Sequence, residues 1–185
     1  MSLPRNWPPG FRYAPTSVYE DVSAHFFRHL LVSPDPASQN RIAPCIEERR
    51  VHPLLSIQKI EKPHPLAGQF GVFAQGKIPA GAELGEYAGI VSFGQRKEKR
   101  PFKGVHCWRV PFGQAVFHVA SDEVANELAF INDFRGLQER PNVRTTWILH
   151  RGSYYFGFET IREIEPMEEL LVDYGKTWAT KWENA

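Results

Sequence analysis

The chain has 185 residues, of which 42% are hydrophobic and 23% charged, with a formal net charge of +1. These values fit one globular domain with short extensions. The near-zero charge excludes a global field that would steer the protein to nucleic acid or an anionic membrane.

The only two cysteines, Cys45 and Cys107, exclude a cysteine-rich zinc cluster. They read as reduced thiols in a reducing compartment, and no metal site is expected. No stretch approaches the ~20 apolar residues that a membrane helix needs. The opening Met1-Ser-Leu-Pro-Arg-Asn-Trp lacks the apolar core of a signal peptide. A soluble, intracellular protein is expected. Fifteen prolines and 14 glycines favour turns and disfavour a helical bundle.

Residues 1–16, rich in Pro, Gly and aromatics, read as an irregular arm. Ser17-Val-Tyr-Glu20 has the form of a capping box. Val18, Val22, Phe26 and Leu30 recur at four-residue steps. Together they predict a helix from residue 17 to near residue 32, stopped by Pro34 and Pro36. Its apolar face packs either on the main domain or on a partner chain. Alternating apolar residues predict a lead-in strand over 51–60, followed by short strands at 70–74 and 83–91 and a hairpin around 108–118. The clearest hairpin is Val143–His150 with Ser153–Thr160, turned by Arg151-Gly152. The run Arg96-Lys-Glu-Lys-Arg-Pro-Phe-Lys103 reads either as a solvated loop or as a weak contact for nucleic acid. Regularly spaced short strands make the domain mainly β.

Four blocks carry the chemistry. They are Gly68-Gln69-Phe70-Gly71-Val72-Phe73-Ala74; Ile78-Pro-Ala-Gly-Ala-Glu-Leu-Gly-Glu86-Tyr87-Ala-Gly89; Asn126-Glu-Leu-Ala-Phe-Ile-Asn132-Asp133 with Pro141-Asn142-Val143; and Glu168-Glu169-Leu170-Leu171-Val172-Asp173-Tyr174-Gly175. In this order they resemble the SET-domain lysine methyltransferases, over residues 66–178. The resemblance implies a mainly β (β+α) fold of several small sheets with a threaded C-terminal segment, here with an N-terminal helix added. It divides the chain into an arm and helix (1–50), a lead-in strand (51–65), the SET domain (66–175) and a short C-terminal flank (176–185).

The implied activity is transfer of a methyl group from S-adenosylmethionine to a protein lysine, most often in a histone tail, leaving S-adenosylhomocysteine. The substrate would bind as an extended strand. Lysine is ammonium in water, with a pKa of about 10.4, so the site must favour the neutral amine and align it with the methyl. Tyr174 matches the family's catalytic tyrosine. With an ordinary phenol pKa near 10 it is a poor base, and its role is orienting and electrostatic. Tyr87 matches the tyrosine that lines the lysine channel, or else is a core aromatic. Trp108 falls near another aromatic that faces cofactor or lysine, or else packs in the core. For the cofactor, Gln69, Phe70 and Gly71 stand where the family has Gly-x-Gly, whose backbone meets the methionine end. Asn132 would hold the cofactor's amino group, and the backbone of Asp133 the adenine edge. Trp178 either stacks on the cofactor or anchors the C-terminus.

Several positions depart from the family. Gln69 replaces a glycine, Ala129 an arginine, Asp133 a histidine, and Val172 an aromatic that limits methyl number. The loop between Asp133 and Pro141 is longer than usual, and the cysteine-rich zinc tail is missing. The Asp133 carboxylate either accepts from the adenine amine or turns into the long loop. These changes motivate an alternative function, a catalytically silent module that binds a peptide or partner. The family's usual location is the nucleus; the cytoplasm, or delivery into a host cell, is the alternative.

Overall fold

The structure is a computed structural model, and it describes residues 3–19, 31–93, 107–112 and 115–175. The strands are short and numerous: β1 (Arg12–Tyr13), β2 (Val18–Tyr19), β3 (Leu55–Lys59), β4 (Phe70–Ala74), β5 (Glu83–Glu86), β6 (Ile90–Phe93), β7 (Cys107–Phe112), β8 (Ala115–Ala120), β9 (Val124–Ala125), β10 (Asn132–Asp133), β11 (Val143–His150), β12 (Ser153–Thr160) and β13 (Leu171–Val172). The helical elements are α1 (Pro44–Glu47) and two 3-10 turns, Pro36–Asn40 and Glu127–Phe130. Among the described residues no helix is long and apolar enough to cross a membrane.

The strands form five small sheets. The largest runs β2-β6-β8-β7, and a second runs β11-β12-β5; β3-β4, β1-β9 and β10-β13 are two-stranded. The expected hairpin is present with the expected bounds, Val143 opposite Thr160 and His150 opposite Ser153. Arg151 and Gly152 both have positive φ, 44° and 75°, as a two-residue hairpin turn requires. The strand expected over 83–91 is divided, because β5 pairs with β12 whereas β6 pairs with β8.

The N-terminal reading needs correction. Val18 and Tyr19 do not begin a helix; they pair in parallel with Ile90 and Val91. Ser17, the expected cap, donates its hydroxyl to the Tyr87 carbonyl at 3.3 Å and its N–H to Glu86 Oε1 at 3.2 Å. A β-branched and an aromatic residue beside an open sheet edge gain more from pairing than from starting a helix. The rest of that expected helix, residues 20–30, lies outside the described residues, as do the basic run 96–103 and Trp178. The arm before it is docked rather than loose: Trp7 and Phe11 pack edge-on against Phe130.

One continuous core joins the sheets. Val72, Ala74, Ile78, Leu84, Val143, Ile164 and Leu170 are sealed from solvent. What positions the site is the chain after β12. Residues 168–170 run antiparallel to β4, with Ala74 N–H donating to the Glu168 carbonyl and Leu170 N–H to the Val72 carbonyl. The next two residues, β13, pair in parallel with β10. Asn142, fully buried, holds this passage from the side. Its Nδ2 donates to the Glu169 carbonyl at 2.7 Å, and its Oδ1 accepts from Leu171 N–H at 2.7 Å. The C-terminal segment is thereby inserted between β4 and β10, which brings Tyr174 beside Asn132.

Candidate active site

Adjacent residues of an extended strand point to opposite faces, so Asn132 and Asp133 on β10 serve two different networks. Asn132 Nδ2 donates to the Phe70 carbonyl at 3.1 Å and to Glu169 Oε1 at 2.8 Å. The other Glu169 oxygen meets His64 Nε2 at 3.0 Å. Gly71 lies under this carboxylate: a Cβ there would stand 2.6 Å from Glu169 Oε1, so only glycine leaves the carboxylate in place.

Asp133 does something else. Its Oδ2 accepts from Tyr174 N–H at 2.8 Å, its Oδ1 from Arg135 N–H at 3.0 Å, and Arg135 Nη1 reaches both oxygens. Arg135 Nη2 then reaches Asp173 Oδ1 at 2.7 Å, which also accepts from Gly175 N–H. Of the two fates open to the Asp133 carboxylate, the second holds: it turns into the loop and clamps the Asp173-Tyr174-Gly175 turn. The long loop contributes the arginine that the clamp needs.

Tyr174 is oriented at both ends. Its N–H is held by Asp133, and its hydroxyl donates to the Ile131 carbonyl at 2.6 Å. Burial first, then the Asp133 and Glu169 carboxylates, pushes the phenol well above its ordinary range. The group therefore stays neutral at physiological pH and cannot act as a bulk base. Its proton is committed to the Ile131 carbonyl.

Tyr174, Trp108 and Tyr87 meet in one aromatic cluster. Trp108 packs edge-on against Tyr174 with centroids 5.7 Å apart, and against Tyr87 at 6.4 Å. Phe156 and Phe158 of β12 complete it. Tyr87 is only 2% exposed, so its ring is buried within the cluster. Gln69 is exposed, and a left-handed turn is made one residue earlier, at Gly68 with φ of +95°. Ala129 and Val172, at 2% and 1% exposure, are core residues.

Of the residues singled out in the sequence, Tyr174, Tyr87, Trp108, Asn132, Asp133, Phe70 and Gly71 lie in one region of the structure. The same region also holds His64, Glu169, Arg135 and Asp173, which the sequence does not single out. Glu169 and Asp173 stand inside the quoted blocks, so their position was visible though their partners were not. His64 and Arg135 lie in loops that carry no periodic signal.

The SET domain family profile matches residues 69–175. The chain belongs to the SET-domain family. No curated protein matches the sequence significantly. Among solved structures, ATXR5 in complex with mono-methylated histone H3.1 is similar with a TM-score of 0.62 and 17% identity, over 89% of this chain and 81% of that one. An apo ctPRC2 with two substitutions in Ezh2 is similar with a TM-score of 0.52 and 22% identity, over 69% of this chain. The polycomb repressive complex 2 of Chaetomium thermophilum gives 0.52 and 23%, over 66% of this chain. The SET domain here spans only 16% and 15% of those two chains. At these identities the likeness is one of fold.

Proposed function

We propose that this SET domain transfers a methyl group from S-adenosylmethionine to the side-chain amine of a protein lysine, with a histone tail in the nucleus as substrate. The observation that carries this reading is the convergence on Tyr174. A hydroxyl oriented by the Ile131 carbonyl, the aromatic group of Trp108 and Tyr87, and the polar face of Asn132 all meet where the C-terminal segment emerges. The fold is that of a lysine methyltransferase family, and the neighbour ATXR5 is seen with a histone, which supports the choice of substrate.

S-adenosylmethionine, when bound, supplies an electrophilic methyl on a cationic sulfonium. The donors and acceptors present fit its amino-acid end. Asn132 Oδ1 has no hydrogen-bond donor among the described residues, and the backbone of 69–71 beside it carries no bulky obstruction at Gly71. Trp178, which lies outside the described residues, belongs to the proposed cofactor set. On the substrate side, Tyr174 accepts from the lysine amine and aligns its lone pair. The aromatic walls suit the aliphatic stem of lysine and stabilise a cationic head. The amine's proton leaves through water, since the Tyr174 phenol holds its own.

Of the four departures that motivate the silent-module alternative, Asp133 has a structural role of its own, since its carboxylate holds Arg135 and Tyr174 N–H. Transfer of labelled methyl from S-adenosylmethionine to core histones and to a lysine-peptide array tests the proposal. Label on a lysine is the expected result. No label on any substrate, in the presence of a working control enzyme, would favour the silent module instead.

A further inference from the structure

The amide of Asn132 has one admissible orientation. Its two partners, the Phe70 carbonyl and the Glu169 carboxylate, can only accept, so both must face Nδ2. Oδ1 is then the atom left to bind a ligand. Glu169, 8% exposed, is itself fixed from behind. His64 Nδ1 accepts from Leu66 N–H at 3.1 Å. The ring hydrogen must therefore sit on Nε2, where it is donated to Glu169 Oε2 at 3.0 Å. From Leu66 through His64, Glu169 and Asn132 to Phe70, each group has a single donor and acceptor arrangement. The result is a neutral acceptor oxygen backed by a carboxylate. That combination suits a donor with positive charge: a protonated primary amine.

We propose that His64 is a positioning residue that acts through Glu169 to hold Asn132 as the acceptor for a ligand's ammonium group. The proposal rests on the cofactor reading above, in which the ammonium belongs to the methionine end of S-adenosylmethionine. His64 lies on the loop between β3 and β4, 105 residues from Glu169 in sequence. Without its N–H, the Glu169 carboxylate loses one of the hydrogen bonds that place it, and Asn132 keeps only the Phe70 carbonyl as a fixed partner.

The test is titration calorimetry on the whole chain with two probes: S-adenosylhomocysteine, and its deamino analogue with hydrogen in place of the amino group. The wild type is expected to prefer the amine by about tenfold or more. His64→Ala is expected to cut affinity for S-adenosylhomocysteine about five- to tenfold while changing that for the deamino analogue less than about twofold. His64→Gln, whose amide N–H can point the same way, should recover most of the loss. Equal losses for both probes would make His64 merely structural, and no loss for either would remove it from the site; both overturn the role. A wild type that binds both probes equally overturns the ammonium assignment, whereas one that binds neither overturns the cofactor reading itself. If His64→Ala does not fold, Glu169→Gln serves the same comparison, since an amide cannot accept from His64 and Asn132 through both of its ends.

Discussion

The two sides of β10 differ in what they do with their polar groups. On the Asn132 side, the network from His64 to Phe70 uses every donor and leaves one acceptor oxygen over. On the Asp133 side, the carboxylate spends its acceptors inside the protein, on Arg135 and on Tyr174 N–H. A site that binds needs a group with capacity to spare, whereas a site that holds needs one with none. The first side is built for a ligand and the second for rigidity. The turn proposed as catalytic touches both, because Tyr174 is anchored by the second and lies beside the first.

Substitutions should separate the two sides, and Tyr174→Phe should have the largest effect. The hydroxyl is the only atom lost, and the backbone clamp from Asp133 is untouched. Methyl transfer should fall about a thousandfold, roughly 4 kcal/mol of barrier, with cofactor affinity and melting temperature near wild type. Turnover within threefold of wild type would take Tyr174 out of the mechanism.

Asp133→Ala should act on stability. It strands Tyr174 N–H and leaves the Arg135 guanidinium with Asp173 alone, at a cost of about 1–3 kcal/mol by denaturant titration. Cofactor affinity in the remaining folded protein should change by less than about fivefold. Asn132→Ala should do the reverse, weakening cofactor binding by about 1–3 kcal/mol with a smaller effect on stability. If the two variants gave the same profile, the division between binding side and holding side would be wrong. Gly71→Ala sharpens the same contrast. Its Cβ must displace the Glu169 carboxylate, so about 1–2 kcal/mol of cofactor affinity should be lost while Asp133 and its clamp stay intact.

Much of this was legible in the sequence because it is local. The Arg151-Gly152 turn, the period of β11 and β12, and the ordered blocks gave the hairpin, the family and the seven residues that converge. The N-terminal helix failed because Ser17-Val-Tyr-Glu20 reads as a capping box only while its neighbours are unknown. The exposed edge of β6 offers Val18 and Tyr19 a partner 72 residues away, between Val18 and Ile90, and no local window contains it. The clamp was hidden for the same reason. Asp133 looked like a lost histidine until the fold brought Arg135 and Asp173 to it, 38 residues apart.

The holding side should also respond to acid, and this is the smallest effect expected. Burial alone would raise the Asp173 carboxyl, but hydrogen bonds from Gly175 N–H and from Arg135 outweigh it and leave the group below its ordinary value of 3.8. A folded pKa that is lowered means the charged form is favoured by folding. The stabilisation is therefore complete above about 3.8 and is lost as pH falls through the lowered folded value. Arg135→Met should remove the arginine's share. The stability difference between wild type and Arg135→Met should then be constant from neutral pH down to about 4 and narrow below it. Salt should shrink it as well, because the Asp173 side chain is half exposed. Glu168 supplies an internal control. Its carboxyl is also lowered despite burial, by Arg162, Glu165 N–H and Asn142, and none of these touches Arg135, so the acid slope it contributes should survive in the variant. Urea titrations of both proteins across that range decide the matter. A difference that stays constant into strong acid would mean that Arg135 stabilises the turn through packing over the Phe134 ring, 4.8 Å away, and not through the charge of Asp173.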